Sequence, residues 1–365
     1  MRIGIDATAV LDELSGVEVV VHTTVDALAR HGGDDEVVLF VRRRAPSAWR
    51  DLPERFHVDA LPTDSQAVAT QVLLPAAARR AGVDVLYCPA RPAPAMSGRP
   101  VLAAVHDVIP WTRPDTMGRG AGLWYRSFHR IAVRRGAHVA AGCQAAGQEL
   151  VRVLGLSPDR LHVVAHALAP WLAQQVDRPL AWPAVAGQEG SRYLLSVCRI
   201  EPRKDLATVL AAWQQLAGGH PDLRLLLAGK IGWKVDEVIE TARSLPRVEL
   251  LGSVSNDDLA GLYRHAAAFV TASREEGFGL PVLEAMAMGT PVVASAISPH
   301  AEVGGGAAAL FRPGDPGGLA TAVDAIVGDP AEGERRRQAG RLRADHYSAA
   351  RLAERLGDAL KETAG

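Results

Sequence analysis

A chain of 365 residues suggests two domains rather than one, and a hydrophobic share of 48% is enough for two cores. Its 40 basic and 41 acidic residues leave a formal net charge of −1, which argues against a general nucleic-acid or membrane-surface protein. The three cysteines, Cys88, Cys143 and Cys198, have neither metal nor disulfide spacing and read as small core residues in a reducing cytoplasm; no stretch is apolar enough to span a bilayer, and no signal-peptide run follows MRIGIDATAV.

The first predicted strand covers 3–5 and ends at Asp6. A loop with Ser15-Gly16 leads into a helix at 17–30 and a second strand at 37–41, the opening of an α/β unit. Such folds bind ligands at loops on the carboxyl edge of the sheet. This loop has one glycine and carries Asp12, Glu13 and Glu18, whose charges repel a diphosphate, so it makes a weak phosphate cradle. Residues 65–81 read as a helix and 83–87 as a strand, and Pro89, Pro92, Pro94 and Pro100 mark a surface loop.

A buried strand at 101–105 delivers His106-Asp107 at its C-terminal end. A polar pair there suits a substrate contact; a capping Asp beside a His satisfied by backbone is the plainer alternative. A helix at 124–135 spaces Arg126, Arg130 and Arg134 on one face, which reads as solvated rather than as a contact with lipid or an acidic acceptor. A strand at 138–141, a helix at 144–154 and a strand at 161–164 complete a first domain of residues 1–168. Pro170, Pro179 and Pro183 then interrupt a stretch without clean period, and 169–190 reads as a linker.

The alternation restarts in a second domain, 191–344. Strands are predicted at 193–197, 223–228, 248–250, 267–270, 292–293 and 307–311. Helices are predicted at 206–217, 235–244, 256–265 and 315–327, and the tail from 332 to 361 is helical and arginine-rich.

Two stretches of this half carry chemistry. In 273–294, SREEGFGLPVLEAMAMGTPVVA, the carboxylates Glu276 and Glu284 frame a short helix ended by Gly289-Thr290-Pro291. Pro281 suits a first helical turn, and Gly277 and Gly279 permit backbone angles that a side chain forbids. The bare amides of that helix start attract phosphate, and Glu284, placed in the first turn, would accept hydrogen bonds from sugar hydroxyls. The plainer alternative is a turn followed by a dipole-stabilising Glu. The partner stretch is Arg199-Ile200-Glu201-Pro202-Arg203-Lys204-Asp205. Arg199 and Lys204 follow a strand, precede a helix and can neutralise a diphosphate as it departs; Pro202 stiffens the loop and Asp205 caps the helix. Two exposed basic residues in a loop are the alternative. No Asp-x-Asp pair occurs, so no metal is expected to hold the diphosphate. No Gly-x-Gly-x-x-Gly follows either domain's first strand, which argues against a Rossmann dehydrogenase.

Through RIEPRKDL, LLLAGKIGW, LLGSVSNDDLAGLYRHA and EEGFGLPVLEAMAMGTPVVAS the chain resembles a family 4 glycosyltransferase of the GT-B fold. GID, DVLYCP and AVHDVIPWTRPD resemble the branch that contains bacterial mannosyltransferases of polysaccharide synthesis. The resemblance implies two Rossmann-like, doubly wound α/β domains with an interdomain cleft, and a retaining, metal-independent transfer of a hexose from a nucleoside-diphosphate sugar. The acceptor hydroxyl would belong to a polysaccharide, a lipid-linked glycan or a natural product. No cofactor and no nucleic-acid partner are implied.

By the same resemblance Arg199 and Lys204 hold the donor diphosphate, Glu284 the ribose and Glu276 a hydroxyl of the donor sugar. Backbone at Phe278, Gly279 and Leu280 meets sugar and phosphate, and backbone near Lys230 and Val254 takes the base. His106 lies against the transferred sugar, Gly16 belongs to a mobile loop that approaches the diphosphate, and a C-terminal helix from about 345 crosses back onto the first domain. The chain departs from the family pattern at Val17-Glu18-Val19, at Ala165-His166-Ala167 and, mildly, at Asp205. Two rivals are a phosphorylase or epimerase on the same fold and a nucleotide-binding partner without transfer chemistry.

Overall fold

The computed structural model of the chain describes residues 1–10, 16–43, 46–113 and 119–365. It divides into two compact units, Met1–Pro170 with Ser348–Gly365, and Trp171–Tyr347.

The first unit is built on seven parallel strands: β1 (Arg2–Asp6), β2 (Glu36–Arg42), β3 (Phe56–Leu61), β4 (Val85–Cys88), β5 (Val101–Ala104), β6 (His138–Ala141) and β7 (Leu161–Val163). Their order is β3-β2-β1-β4-β5-β6-β7. Helices cover both faces, so central strands are apolar throughout rather than alternating; Val37 to Val41 are all buried. On one face Ile3, Ile5, Leu39, Val21 and Val25 form a core with Leu352, Leu356 and Leu360 of the helix Ala349–Ala364. On the other, Val38, Phe40 and Leu86 pack with Leu74 and Ala77.

The strand β3 has no counterpart among the sequence expectations. It is an edge strand whose middle residues face outward, so FHVDAL lacks the apolar run that marks its neighbours. The single helix expected at 65–81 is instead Gln66–Val68, a wider π-helical turn at Ala69–Leu73, and Leu74–Arg80. Pro75 has no N–H for the carbonyl four residues back, and its ring crowds that carbonyl; the wide turn relieves both.

The second unit holds six parallel strands: β8 (Arg192–Val197), β9 (Leu223–Ala228), β10 (Val248–Gly252), β11 (Ala268–Thr271), β12 (Val292–Ser295) and β13 (Ala309–Phe311), in the order β10-β9-β8-β11-β12-β13. Its core joins Leu194, Leu225, Leu227 and Val270 to Val209, Trp213 and Val323 of the helices Leu206–Leu216 and Pro316–Val327. Both sheets are doubly wound: strand order reverses between β1 and β4 in the first and between β8 and β11 in the second.

Residues 171–190, proline-spaced like a linker, belong to the second unit. The Arg264 guanidinium donates to the carbonyl of Val176, the His265 ring meets the Leu180 carbonyl at 3.1 Å, and Trp182 packs edge-on against Tyr193. The helical tail is two helices, Pro330–Ala344 and Ala349–Ala364, separated by a short turn at Asp345–Tyr347. Cys88, Cys143 and Cys198 are free thiols. Among the described residues no helix is long and apolar enough to cross a membrane.

Candidate active site

The chemistry collects at the reversal point of the second sheet, where the segments leaving β8 and β11 meet. A close crossing fixes the first of them. Gly229, at φ 136°, lies so near the Cys198 carbonyl that a β-carbon would stand 1.8 Å from its oxygen, so only glycine fits. Beyond it the Ile200 amide donates to the Lys230 carbonyl at 2.9 Å and the Gly232 amide to the Ile200 carbonyl at 2.8 Å. Asp205 then turns the chain into the helix Leu206–Leu216 from a left-handed conformation, φ 48°, which Asp tolerates better than most residues. Its carboxylate does not cap the helix amides. It accepts the Thr208 hydroxyl at 2.8 Å and the Arg274 guanidinium at 2.9 Å, and the Arg274 amide bonds the Arg203 carbonyl at 2.8 Å, tying the two segments together.

Glu276 sits at the centre of this junction. Its carboxylate takes the Lys204 ammonium on Oε1 at 2.5 Å and the Arg203 guanidinium on Oε2 at 3.0 Å. Arg203 also donates to the Glu275 carbonyl at 3.2 Å and pairs with Glu201 at 2.5 Å. The Lys204 and Glu276 side chains are 10% and 12% exposed, so the pair is largely desolvated. Burial by itself pushes the Glu276 carboxyl up; the Lys204 and Arg203 charges overcome it and bring it down to about 2. The sequence expectation named Arg199 beside Lys204. The geometry brings Lys204 to Glu276 together with Arg203, while Arg199 is exposed, with no ion pair among the described residues.

The helix Leu280–Ala287 starts from Gly279, whose φ of 96° is left-handed, with Pro281 in its first turn. A β-carbon on Gly279 would stand 2.9 Å from the His300 ring. The helix ends in a Schellman motif: the Thr290 amide bonds the Ala285 carbonyl at 2.8 Å and the Gly289 amide the Met286 carbonyl at 3.0 Å. Glu284 lies one turn in, so the expectation of a first-turn carboxylate is corrected; Gly279 takes the capping position and Leu280 opens the helix, so Glu284 is its fifth residue. There the Tyr263 hydroxyl donates to Glu284 at 2.8 Å. Burial pushes the Glu284 carboxyl up, and the Tyr263 bond works the other way.

Phe278 is buried edge-on against Tyr347, ring centres 5.5 Å apart, and Leu280 is half-buried. Lys230 is exposed and Val254 half-buried, each just past a strand of the same sheet. Sequence reasoning passed over three residues. Arg203 stood beside Lys204 in the motif. Tyr263, the hydroxyl that fixes Glu284, and His300, buried with Nδ1 3.1 Å from the Ser295 carbonyl, had no local signal, because only tertiary packing brings them in.

In the first unit His106 follows β5, and its Nε2 lies 2.6 Å from the Pro89 carbonyl, just past β4. Its ring is 5.3 Å from that of His166. Burial holds both imidazoles down, His166 to about 3, so His106 is held as a neutral ring. Asp107 accepts the Ile109 amide at 2.9 Å in a local turn, while Val108 holds the cap position of the short helix Ile109–Thr112. Arg126 is tied to the Pro110 carbonyl at 2.8 Å, while Arg130 and Arg134 are exposed. Gly16 opens the helix Gly16–His31; Asp12, Glu13 and Ser15 of the preceding loop lie outside the described residues.

Two family models match the chain: Glycosyltransferase Family 4 over residues 14–169 and Glycosyl transferases group 1 over 181–343. A glycogen synthase of Mycobacterium tuberculosis is 37% identical over 169 residues, 44% of this chain and 41% of the relative. An O-antigen chain mannosyltransferase B of Escherichia coli is 38% identical over 138 residues, 37% of this chain and 34% of the relative. The matched region thus spans well under half the length of these relatives. Among solved structures, Anabaena HepE in complex with UDP-glucose superposes with a TM-score of 0.72 over 99% of both chains at 17% identity. WaaG, a glycosyltransferase of lipopolysaccharide biosynthesis, gives 0.73 at 15% identity over 98% of this chain and 99% of its own.

Proposed function

Because the chain belongs to the GT-B glycosyltransferases, its first half to family 4 and its second to group 1, we propose that it transfers a hexose from a nucleoside-diphosphate sugar to an acceptor hydroxyl, with retention of configuration and without a metal. The observation that carries this reading is the half-buried Arg203–Lys204–Glu276 cluster beside the start of the helix Leu280–Ala287. Two cations and a helix N-terminus converge at the carboxyl edge of a doubly wound sheet, where a diphosphate is best held.

In this reading Glu276 balances the two cations until the donor binds. The diphosphate then takes over Lys204 and Arg203, with exposed Arg199 as a third cation, and Glu276 turns to a hydroxyl of the donor sugar. Glu284, oriented by Tyr263, accepts the ribose hydroxyls. The bond from the anomeric carbon to the phosphate oxygen breaks, and the nucleoside diphosphate leaves under the two fixed charges. The acceptor oxygen bonds the same carbon from the same face and gives its proton to the departing phosphate. No protein nucleophile is needed. The O-antigen mannosyltransferase relative favours a glycan acceptor, and the UDP-glucose complex of HepE puts uridine first among the bases to try.

Thermal shift against UDP, GDP, ADP and TDP, with and without magnesium, is the test. One nucleoside diphosphate is expected to raise the melting temperature without magnesium, and Lys204→Met is expected to abolish the shift. NMR of the product's anomeric centre then reads the stereochemistry. No shift with any nucleotide would overturn the donor site, and an inverted product would overturn the same-face route.

A further inference from the structure

We propose that the second unit carries a separate oxyanion site at the turn Gly289-Thr290, in which Arg264, Arg337 and Arg341 receive a phosphate group, free or carried by a small metabolite. The site does not depend on the transferase reading. It lies at the amino edge of the sheet, where Thr290 leads into β12 and Arg264 into β11, whereas Lys204 and Glu276 follow the carboxyl ends of β8 and β11.

Three elements bring the guanidinium groups together. Arg264 stands in the last turn of the helix Asn256–His265, and Arg337 and Arg341 are one turn apart on the helix Pro330–Ala344. The turn itself joins them. The Thr290 hydroxyl donates to the Tyr263 carbonyl, next to Arg264, and Arg337 donates to the Gly289 carbonyl at 3.3 Å. The Arg341 guanidinium lies against Gly289, where a β-carbon would stand 2.6 Å from Nε and 2.7 Å from Nη2. Glycine there permits the left-handed turn, φ 76°, and also makes room for the cation.

Other arginines of the helix Pro330–Ala344 have acceptors. Arg335 and Arg336 pair with Glu332 at 2.7 Å, and Arg343 donates to the Val303 carbonyl at 3.0 Å. Exposed Arg341 has neither a hydrogen bond nor an ion pair among the described residues. Arg264 gives Nη2 to the Gln175 and Val176 carbonyls, but its Nε is buried without a partner among the described residues. Arg337 has only a 3.8 Å contact with Glu334, itself 60% exposed. Burial holds the Arg264 and Arg337 guanidinium groups below their usual range, and the charge of Arg341 adds to it; exposed Asp177 and Glu334 offset part of this. Helix C-termini draw single arginines to their free carbonyls, which accounts for the Arg337 bond to Gly289. It does not account for Arg341, a third cation set beside two partly desolvated ones. Like charges gathered at that cost mark the seat of an anion. Phosphate fits, because its oxygens accept from several guanidinium forks at once, whereas a single carboxylate fills one.

The probes are inorganic phosphate and glycerol 3-phosphate, titrated against the full chain by phosphorus NMR at constant ionic strength in chloride. Lys204→Met is titrated alongside, because it removes phosphate capture by the Lys204–Glu276 cluster. Saturable binding is expected in the wild type and in Lys204→Met alike. Arg341→Ala should weaken it about tenfold, the loss of one charge-assisted hydrogen bond. Arg341 is exposed, so its variant keeps the fold and the test stays sound. The probe that binds more tightly names the source, a free phosphate or a phosphate monoester. Equal binding by wild type and Arg341→Ala overturns the site. So does binding that disappears in Lys204→Met, which would place the phosphate in the other cluster, and so does an absence of saturable binding with both probes.

Discussion

Glu276 is the residue on which the proposed donor site balances. Removing its carboxylate leaves the Lys204 ammonium in a largely desolvated junction without its carboxylate partner, while the Arg203 guanidinium keeps only Glu201. Glu276→Ala should therefore cost about 3 kcal/mol, read as a drop in the urea midpoint. The double variant Lys204→Met, Glu276→Gln should recover much of that loss and still bind no nucleotide. Acid should report the same balance. A carboxyl held at about 2 in the folded chain, against an ordinary 4.5, stabilises the fold at and above the unfolded value. Its contribution should fade as pH drops from about 4.5 toward 2, and Glu276→Gln should flatten that part of the stability curve. Glu284 is expected to act in the opposite sense, because burial makes its ionised form unfavourable. Glu284→Gln, which keeps an acceptor for Tyr263, should raise the melting temperature near neutral pH while weakening nucleoside-diphosphate binding. At this scale the sequence marked Lys204, Glu276 and Glu284 as charged residues at element ends. It held nothing on which cation meets which acid, since the Lys204–Glu276 pair closes over 72 positions.

At the scale of elements, the regular parts were legible because their physics is local. The runs Val37–Val41 in β2, Val101–Ala104 in β5, Leu225–Ala228 in β9 and Val292–Ala294 in β12 are apolar without alternation, which is how strands buried on both faces must be written. The helix Asn256–His265 stands where it was expected, and the structure shows it capped by Ser255, whose hydroxyl accepts the Asp258 amide at 3.1 Å. What escaped depends on neighbours: β3 is recruited by pairing with β2 alone, and the wide turn at Ala69–Leu73 answers to one proline. Gly279 joins this scale to the site. Its left-handed angle starts the helix Leu280–Ala287, and its missing β-carbon leaves room for His300. Gly279→Ala should cost about 1–3 kcal/mol from backbone strain and crowding, lower the melting temperature and blunt the nucleotide shift. A variant with unchanged stability and nucleotide response would show that this turn is not what aims the helix.

For the molecule as a whole, the informative feature is that the chain does not finish in the unit where its tail begins. The helix Pro330–Ala344 belongs to the second unit, and the turn Asp345–Tyr347 anchors there through Tyr347, packed on Phe278 and bonded by Arg343 at 2.9 Å. From Ser348 onward the helix Ala349–Ala364 is part of the first unit, where Leu352, Ala353, Leu356, Ala359 and Leu360 complete the core around Ile3, Ile5 and Val21. Composition alone shows an arginine-rich stretch followed by an amphipathic one; it cannot show that these belong to different cores. The consequence is asymmetric. Three buried leucines are worth at most about 4.5–9 kcal/mol, a large share of the stability of an ordinary domain. A chain ending at Tyr347 should therefore lose hydrogen-exchange protection in β1, β2 and β4 while β8, β9 and β11 keep theirs, and its nucleoside-diphosphate shift should survive. Equal loss of protection in both sheets would mean that the two cores unfold as one cooperative unit, and that the terminal helix stabilises more than the core it fills.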